Sequence, residues 1–314
     1  MRILVIWNSS LKETELEQLR AETGADIIVA KSPEEARAQA PNADVIFGFA
    51  RGDLLPHAVN TQWTQVPYAG VEGLLRAQWG NPSMILTNGS GIFGKCIAEH
   101  ILGMLLSFTR GLHVARDHQR QANWHWRYPM RELYGRTVGI VGFGDIGEET
   151  AKRLKAFDNY VIGLRSNPAK LSRYADEMLS IKALDTVLPR LDFLVCALPH
   201  TEATTGLLTG ERLRRLPNHA FVVNVGRGSL FVEEDLVEAL QSGTIAGVGL
   251  DVTREEPLPA DSPLWKMENV ILTPHNSGQT PRHWERALDI FVKNWQRFNN
   301  GEPMLNTVDY RRGY

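Results

Sequence analysis

The stretch V-G-I-V-G-F-G-D-I-G at residues 138–147 constrains this chain more than any other, because it sets three spaced glycines between a strand-like run and a helix-like pattern. Val138, Gly139, Ile140 and Val141 form the short apolar run expected of a buried parallel strand. Gly142 permits a tight turn, Gly144 lets the backbone approach a pyrophosphate, and Gly147 lets helix and strand pack closely. Phosphates would then rest on N–H groups at the helix start. As a bare string, G-x-G-x-x-G also fits a plain strand-to-helix turn; its flanks favour a dinucleotide site. Gly142, Gly144, Asp145, Ile146 and Gly147 are therefore candidate cofactor-binding residues.

Around this turn the pattern is α/β. Strands are expected at residues 2–7, 26–29 and 45–48, with helices at 11–23 and from Pro33 onward. W-T-Q-V-P-Y-A-G-V-E-G-L and M-I-L-T-N continue the pattern, and the first region ends near Lys95. A second series starts near Thr137, with strands at 160–164, 193–197, 221–224, 247–250 and 270–273. Helical segments separate them, as right-handed crossovers in a mostly parallel sheet require. Residues 283–299 read as a last helix, with Trp284, Leu288, Phe291, Val292 and Trp295 on its apolar face. At 314 residues the expectation is two Rossmann-like domains, one formed by 1–97 with 283–314 and the other by 98–282.

Charge excludes some partners. With 34 basic and 36 acidic residues, no broad field or basic block suggests nucleic acid or an anionic membrane. The apolar run 97–112 contains Glu99, His100 and Arg110 and is too short and polar for a membrane span. It reads as a packed helix whose Gly103 permits close approach of another helix, within the chain or across a subunit interface. The N-terminus lacks the longer apolar region of a signal peptide. Cys96 and Cys196 lie in apolar surroundings, which suggests buried thiols, and a cytoplasmic protein is the simplest expectation.

The chemistry concentrates in three segments, N-V-G-R-G-S, L-D-V-T-R-E-E-P-L-P and T-P-H-N-S-G-Q-T. Each follows an expected strand, so a parallel sheet would bring Arg227, Asp251, Glu256 and His275 to one edge. His275 suits proton exchange near neutral pH, and Glu256 suits the task of orienting its ring. Arg227 offers a planar, bidentate partner for a substrate carboxylate and helps polarise an adjacent carbonyl. Hydride delivered from a reduced nicotinamide, with a proton from His275, would convert a 2-keto acid to a 2-hydroxy acid. Asp251 is open between orienting the cofactor amide and orienting the site arginine.

With these motifs in this order, the chain resembles the D-isomer-specific 2-hydroxyacid dehydrogenase family, including its glyoxylate and hydroxypyruvate reductases. The resemblance runs through V-P-Y-A-G-V-E-G-L, I-A-E-H-I-L-G, R-E-L-Y-G-R-T-V-G-I-V-G-F-G-D-I-G, N-V-G-R-G-S-L, D-V-T-R-E-E-P-L-P and T-P-H. It implies Arg227, Glu256 and His275 as the catalytic set and Asp251 as a cofactor-associated aspartate. It also implies that the cofactor domain is inserted into the substrate-binding domain, which the C-terminal helix closes, and that the active form is a homodimer. The loop matching A-G-V-E implies backbone N–H groups of Gly70 and Val71 as holders of the substrate carboxylate. F-A-R-G matches another substrate-facing loop, where Arg51 either assists an anionic substrate or remains solvated.

Cofactor choice rests on V-I-G-L-R-S-N-P. Arg165 stands where NAD-dependent members of the family have aspartate, and an arginine there can grip the extra phosphate of NADPH, with Ser166 and Asn167 adding hydrogen bonds. NADP(H) is the preferred expectation; NAD(H) stays open if Arg165 lies over adenine or in solvent, and the direction of Lys170 is open too. A metal is not expected, since His113, His118 and His125 lack an H-E-x-x-H arrangement. The non-enzymatic alternative is an NADPH-binding regulatory protein. Among enzymes, a broad 2-ketoacid reductase competes with a narrow glyoxylate/hydroxypyruvate reductase. Trp124, Trp126, Tyr128 and Met130 would line an apolar substrate wall or pack between domains.

Overall fold

A computed structural model describes residues 1–7, 10–125 and 128–310, and divides the chain into two compact units, Met1–Phe93 with Thr280–Tyr314, and Gly94–Gln279. These edges precede the sequence boundaries at 97/98 and 282/283, because the helix that opens the second unit starts at Gly94 and the turn before the last helix belongs with that helix.

In the first unit the order is β1 (Arg2–Ile6), α1 (Glu13–Thr23), β2 (Asp26–Ala30), α2 (Pro33–Gln39), β3 (Val45–Gly48), β4 (Trp63–Gln65), α3 (Glu72–Leu75) and β5 (Ile85–Thr87). The five strands form a parallel sheet in the order β2-β1-β3-β4-β5. Ile3, Leu4 and Val5 are fully buried, as expected of a strand covered on both faces. Local chemistry sets the helix starts. Ser32 accepts from the Glu35 N–H at 3.2 Å and Pro33 takes the first helical position of α2, where no intrahelical donor is needed.

The second unit contains α4 (Gly94–Thr109), α5 (Leu112–Arg120), β6 (Thr137–Val141), α6 (Asp145–Leu154), β7 (Tyr160–Arg165), β8 (Glu177–Ser180), α7 (Leu184–Val187), β9 (Phe193–Cys196), α8 (Gly210–Leu213), β10 (Phe221–Asn224), α9 (Glu233–Gln241), β11 (Gly247–Leu250) and β12 (Val270–Leu272). Its parallel sheet runs β12-β11-β10-β9-β6-β7-β8. Register matters more here than order. Leu272 pairs with Leu250, Leu250 with Asn224, Asn224 with Cys196, Cys196 with Val141 and Val141 with Leu164, so six strands share one transverse rung near their C-terminal ends. The chain beyond that rung holds Arg165, Gly142, Arg227, Asp251 and His275.

The last helix, α10 (His283–Asn299), returns to the first unit. Phe291 is fully buried, with its ring centroid 4.8 Å from that of Trp63 and 4.3 Å from that of Phe47. Asn294, also buried, donates to Gln65 Oε1 at 2.9 Å and accepts from the Leu305 N–H at 2.7 Å, so its amide does not pay for burial with lost hydrogen bonds.

Some expectations needed correction. The single helix expected over 97–112 ends at Thr109, since Gly111 adopts φ 61° and starts α5 in a new direction. Gly103 is exposed and open beside its Cα, so it serves no close contact within the described chain. Strand β8 was not anticipated: it is a half-buried edge strand of four residues, E-M-L-S, without the apolar run of its neighbours. Cys196 is buried, but Cys96 is half-buried with its Sγ 3.5 Å from the Gly278 carbonyl. No helix among the described residues is long and apolar enough to cross a membrane.

Replacing Phe291 by Ala removes the ring that joins α10 to the first sheet. A stability loss of about 3–5 kcal/mol is expected, read as a lowered denaturation midpoint of the first unit; a loss under about 1 kcal/mol would contradict this packing role.

Candidate active site

His275 follows β12 and adopts φ 49°, an uncommon conformation for a residue with a side chain. The backbone around it is held. Its N–H donates to the Asp251 carbonyl at 2.8 Å and reaches the Thr273 carbonyl at 3.0 Å. The Asp251 carboxylate accepts from Thr273 Oγ1 at 2.6 Å and from the N–H groups of Asn276 at 3.0 Å and Ser277 at 3.1 Å. Asp251 is 2% exposed. Burial opposes its charge, yet the donors of Ser277, Thr273 and Asn276 outweigh that effect and hold its carboxyl below the usual range. Its stabilising contribution is therefore present above an ordinary aspartate pKa of about 3.9 and is lost as the pH falls through the lower folded value.

In the second unit Asp251 bonds the segment 273–277, and these bonds organise the T-P-H-N-S loop. Sequence reasoning missed Thr273, Asn276 and Ser277, whose small polar side chains and backbone donors look like ordinary loop chemistry.

His275 Nδ1 lies 2.7 Å from Glu256 Oε2, and Glu256 Oε1 accepts from the Thr253 N–H at 3.1 Å. An ionised glutamate only accepts, so Nδ1 is the protonated nitrogen and Nε2 is left for proton exchange. The side chains are part exposed, 51% for His275 and 38% for Glu256, which leaves the ring accessible.

Arg227 lies just past β10 in extended backbone, with Nη1 2.8 Å from the Gly226 carbonyl. Asn224 ties this turn together: its side-chain oxygen accepts from the Gly226 N–H at 3.0 Å and its amide donates to the Arg227 carbonyl at 2.9 Å. The flanking glycines are required by close approach. A Cβ on Gly226 would stand 2.6 Å from the Leu198 carbonyl oxygen, and one on Gly228 would overlap the Thr253 backbone. The Arg227 turn thus lies against the loop that supplies Thr253 and Glu256. N-V-G-R-G contains this signal, although the partners on either side are invisible to it.

The dinucleotide turn has the form its spacing suggested. Gly142 adopts φ 98° and leaves no room for a side chain, since a Cβ would stand 2.5 Å from the Ala197 carbonyl oxygen. A Cβ on Gly147 would stand 2.8 Å from the Gly142 carbonyl oxygen, which explains the close strand and helix contact. Gly144 is different: nothing lies within 4 Å of its Cβ position, and it caps α6 without a side-chain hydrogen bond. An uncapped helix start beside open space suits a phosphate. Asp145 turns elsewhere, with its carboxylate against Gly94 at the start of α4, while Ile146 lies in the first turn of α6. Arg165 ends β7, with Nη1 3.4 Å from the Lys170 carbonyl, and Ser166 and Asn167 follow it exposed.

The first unit holds Arg51, Gly70 and Val71. Tyr68 donates to the Ala50 carbonyl at 2.5 Å, joining the F-A-R-G and A-G-V-E loops. Burial pushes its phenol up to about 12, so it stays a donor at neutral pH. Val71 is buried and directs its side chain into the core, leaving only its backbone for a ligand. Arg51 is exposed beside a cavity of about 330 Å³ that Trp7, Lys31, Arg37 and Phe49 also line. In the second unit Tyr128 packs on Gly111 and edge-on to His113, whereas Trp124 is 97% exposed; Trp126 lies outside the described residues. Among the described residues no group of three His, Cys, Asp or Glu is arranged to hold a metal.

Residues 102–277 match the family model described as the NAD binding domain of D-isomer specific 2-hydroxyacid dehydrogenase. The chain belongs to this dehydrogenase family. It is similar to a family member from Aeromonas salmonicida subsp. salmonicida, with 34% identity, a TM-score of 0.86 and coverage of 98% of this chain and 99% of that one. A D-isomer specific 2-hydroxyacid dehydrogenase from Xanthobacter autotrophicus, solved in complex with NADPH and MES, aligns at 30% identity and a TM-score of 0.84 over 99% of both chains. A glyoxylate reductase from Korarchaeum cryptofilum is 33% identical over 231 residues, covering 71% of this chain and 69% of the relative. As a member of this family, the dehydrogenase interconverts 2-keto and 2-hydroxy acids with a nicotinamide cofactor.

Two glycine variants separate binding from folding. Gly144→Ala should change stability by no more than about 0.5 kcal/mol while weakening NADPH binding at least about tenfold, or 1.4 kcal/mol. Gly142→Ala should destabilise the unit itself by more than about 1 kcal/mol. Titration of NADPH by fluorescence, beside thermal melts, reads both; unaltered affinity in Gly144→Ala would remove the phosphate from this turn.

Proposed function

We propose that this dehydrogenase is an NADPH-preferring reductase of 2-keto acids, with glyoxylate and hydroxypyruvate within its range. The observation that supports it most is the His275–Glu256 pair at 2.7 Å, on the sheet edge that also holds Arg227 and the dinucleotide turn. Bound NADPH supplies the hydride that goes to the keto carbon. His275 Nε2 gives its proton to the carbonyl oxygen, which leaves a 2-hydroxy acid, and Glu256 stabilises the ring in its charged form beforehand. Arg227 pairs with the substrate carboxylate and favours negative charge on the reacting oxygen. By resemblance to the family, Gly70 and Val71 offer backbone N–H groups to a substrate carboxylate, and Arg51 assists an anionic substrate. Asp251 keeps the His275 loop in place beside the cofactor.

Arg165, with Ser166 and Asn167, holds the 2′-phosphate, since a basic residue at the end of β7 replaces the acidic one that would pair with ribose hydroxyls. Residues 1–97 with 283–314 serve the substrate and 98–282 the cofactor. We also propose a cytoplasmic homodimer: Leu112, Trp124, Met130 and Tyr134 all expose large apolar or aromatic surface in one stretch of the second unit.

Oxidation of NADPH and NADH should be followed with glyoxylate, hydroxypyruvate, pyruvate, 2-ketoisocaproate and phenylpyruvate at matched concentrations. NADPH should exceed NADH in kcat/KM by at least about tenfold, and Arg165→Asp should reverse that order. His275→Ala should lower kcat by roughly 10²–10⁴, and Arg227→Ala should lower kcat/KM by roughly 10²–10³. NADPH binding without turnover of any acid would instead favour a nucleotide-binding protein with no redox activity. Sedimentation of Trp124→Ser beside the unaltered protein tests the dimer, which this change should weaken.

A further inference from the structure

His100, on α4, lies 3.0 Å through Nε2 from Thr273 Oγ1 and 3.9 Å from Asp251 Oδ1. Its side chain is 22% exposed, and that of Asp251 is fully buried. Thr273 has one hydroxyl proton, and the 2.6 Å contact with an ionised Asp251 claims it. At His100 the threonine oxygen must therefore accept, which makes Nε2–H the donor. The direction of the chain is then fixed: His100 donates to Thr273, and Thr273 donates to Asp251. Asp251 in turn accepts from the N–H groups of Asn276 and Ser277, the two residues after His275.

Geometry gives this chain of bonds a purpose. A free threonine hydroxyl rotates about its C–O bond, and a proton swung from the carboxylate toward another acceptor would leave Asp251 short of a donor in a buried site. A donor at the back of the oxygen prevents that rotation by occupying its lone pair. Connected hydrogen bonds also polarise one another, so the Thr273 proton becomes a better donor when its oxygen accepts. The residue held at the end of the chain, His275, has φ 49° and would relax toward a commoner backbone conformation if the 273–277 segment loosened.

We propose that His100 is a positioning residue for keto-acid reduction: through Thr273 it fixes the Asp251 carboxylate, and so the backbone on which His275 stands. The proposal rests on the reductase reading of the site. His100 touches neither cofactor nor substrate in this role, and its effect falls on the chemical step more than on nucleotide binding.

The test uses the intact enzyme with NADPH and the best keto acid of the panel, for which turnover by the unaltered protein must first be present; its absence would overturn the reductase reading itself. His100→Leu and His100→Phe remove the donor, and Thr273→Val removes the hydroxyl. Each should lower kcat about 10- to 50-fold while KM for NADPH changes less than about threefold, the size of effect that small misplacement of a catalytic group produces. The double variant His100→Leu/Thr273→Val should be no worse than the poorer single one within about twofold, because both cut the same chain of bonds. His100→Gln, whose amide nitrogen can take the place of Nε2, should recover kcat to within about threefold of the unaltered enzyme. Near-UV circular dichroism and melting midpoints show which variants are folded; if His100→Leu is not, His100→Phe and Thr273→Val read the same link. Unchanged kcat in a folded donor-less variant, multiplicative losses in the double variant, or a His100→Gln enzyme as poor as His100→Leu would each overturn the proposal.

Discussion

A carboxylate taken out of water loses far more than one hydrogen bond restores, and a fold that buries one must surround it with donors. Asp251 is in that position, and most of its donors come from the five residues 273–277. Loop and carboxylate are thus bound to each other: the loop cannot move off without leaving a charge unsatisfied. Such a penalty, several kcal/mol for a buried ion that loses a partner, exceeds the roughly 1–3 kcal/mol of strain in an unusual backbone conformation. This comparison explains why His275 can be kept at a positive φ. The imidazole owes its place to the electrostatics of a neighbouring strand more than to its own packing.

A second constraint acts at the Arg227 turn. Gly226 and Gly228 let it sit between the backbone of Leu198 and that of Thr253, where a side chain at either position would collide. Thr253 then bonds Glu256, and Glu256 bonds His275. Contact therefore passes from β10 to the loop after β11 and on to the loop after β12 by backbone and short polar groups. Long flexible side chains, which lose more entropy on ordering, play little part.

Much of this could be read from the residues because the signals were local. Buried parallel strands are short apolar runs, and β6, β9, β10 and β11 stand within a residue of where those runs lie. Helix α10 has both its apolar stripe and its limits in the sequence. The strand, turn and helix around Gly142 announce themselves because each glycine has a separate mechanical reason. What escaped notice was set by partners distant in the chain. His100 looked like a polar interruption in an apolar helix, since Thr273 is 173 positions away. Thr273 looked like the end of a strand, and Asp251 lacked an assignable partner. Edge strand β8 failed to register because an edge faces water and needs no continuous apolar run. Trp124 shows the limit from the other side: an aromatic residue suggests burial, yet within the single chain this one is exposed.

The shared rung of the second sheet has an evolutionary side. Three of the residues proposed for the chemistry sit a short count beyond a rung position: one residue from Leu250 to Asp251, three from Asn224 to Arg227, three from Leu272 to His275. Deleting one residue in that interval would draw a side chain back toward the sheet by up to about 3.3 Å and change where it points. The crossover helices behind the sheet carry no such count. A lineage descended from this chain can therefore gain or lose length in its crossovers and rear loops and keep its chemistry, whereas the few residues between rung and rim admit exchange of side chains but no change in number.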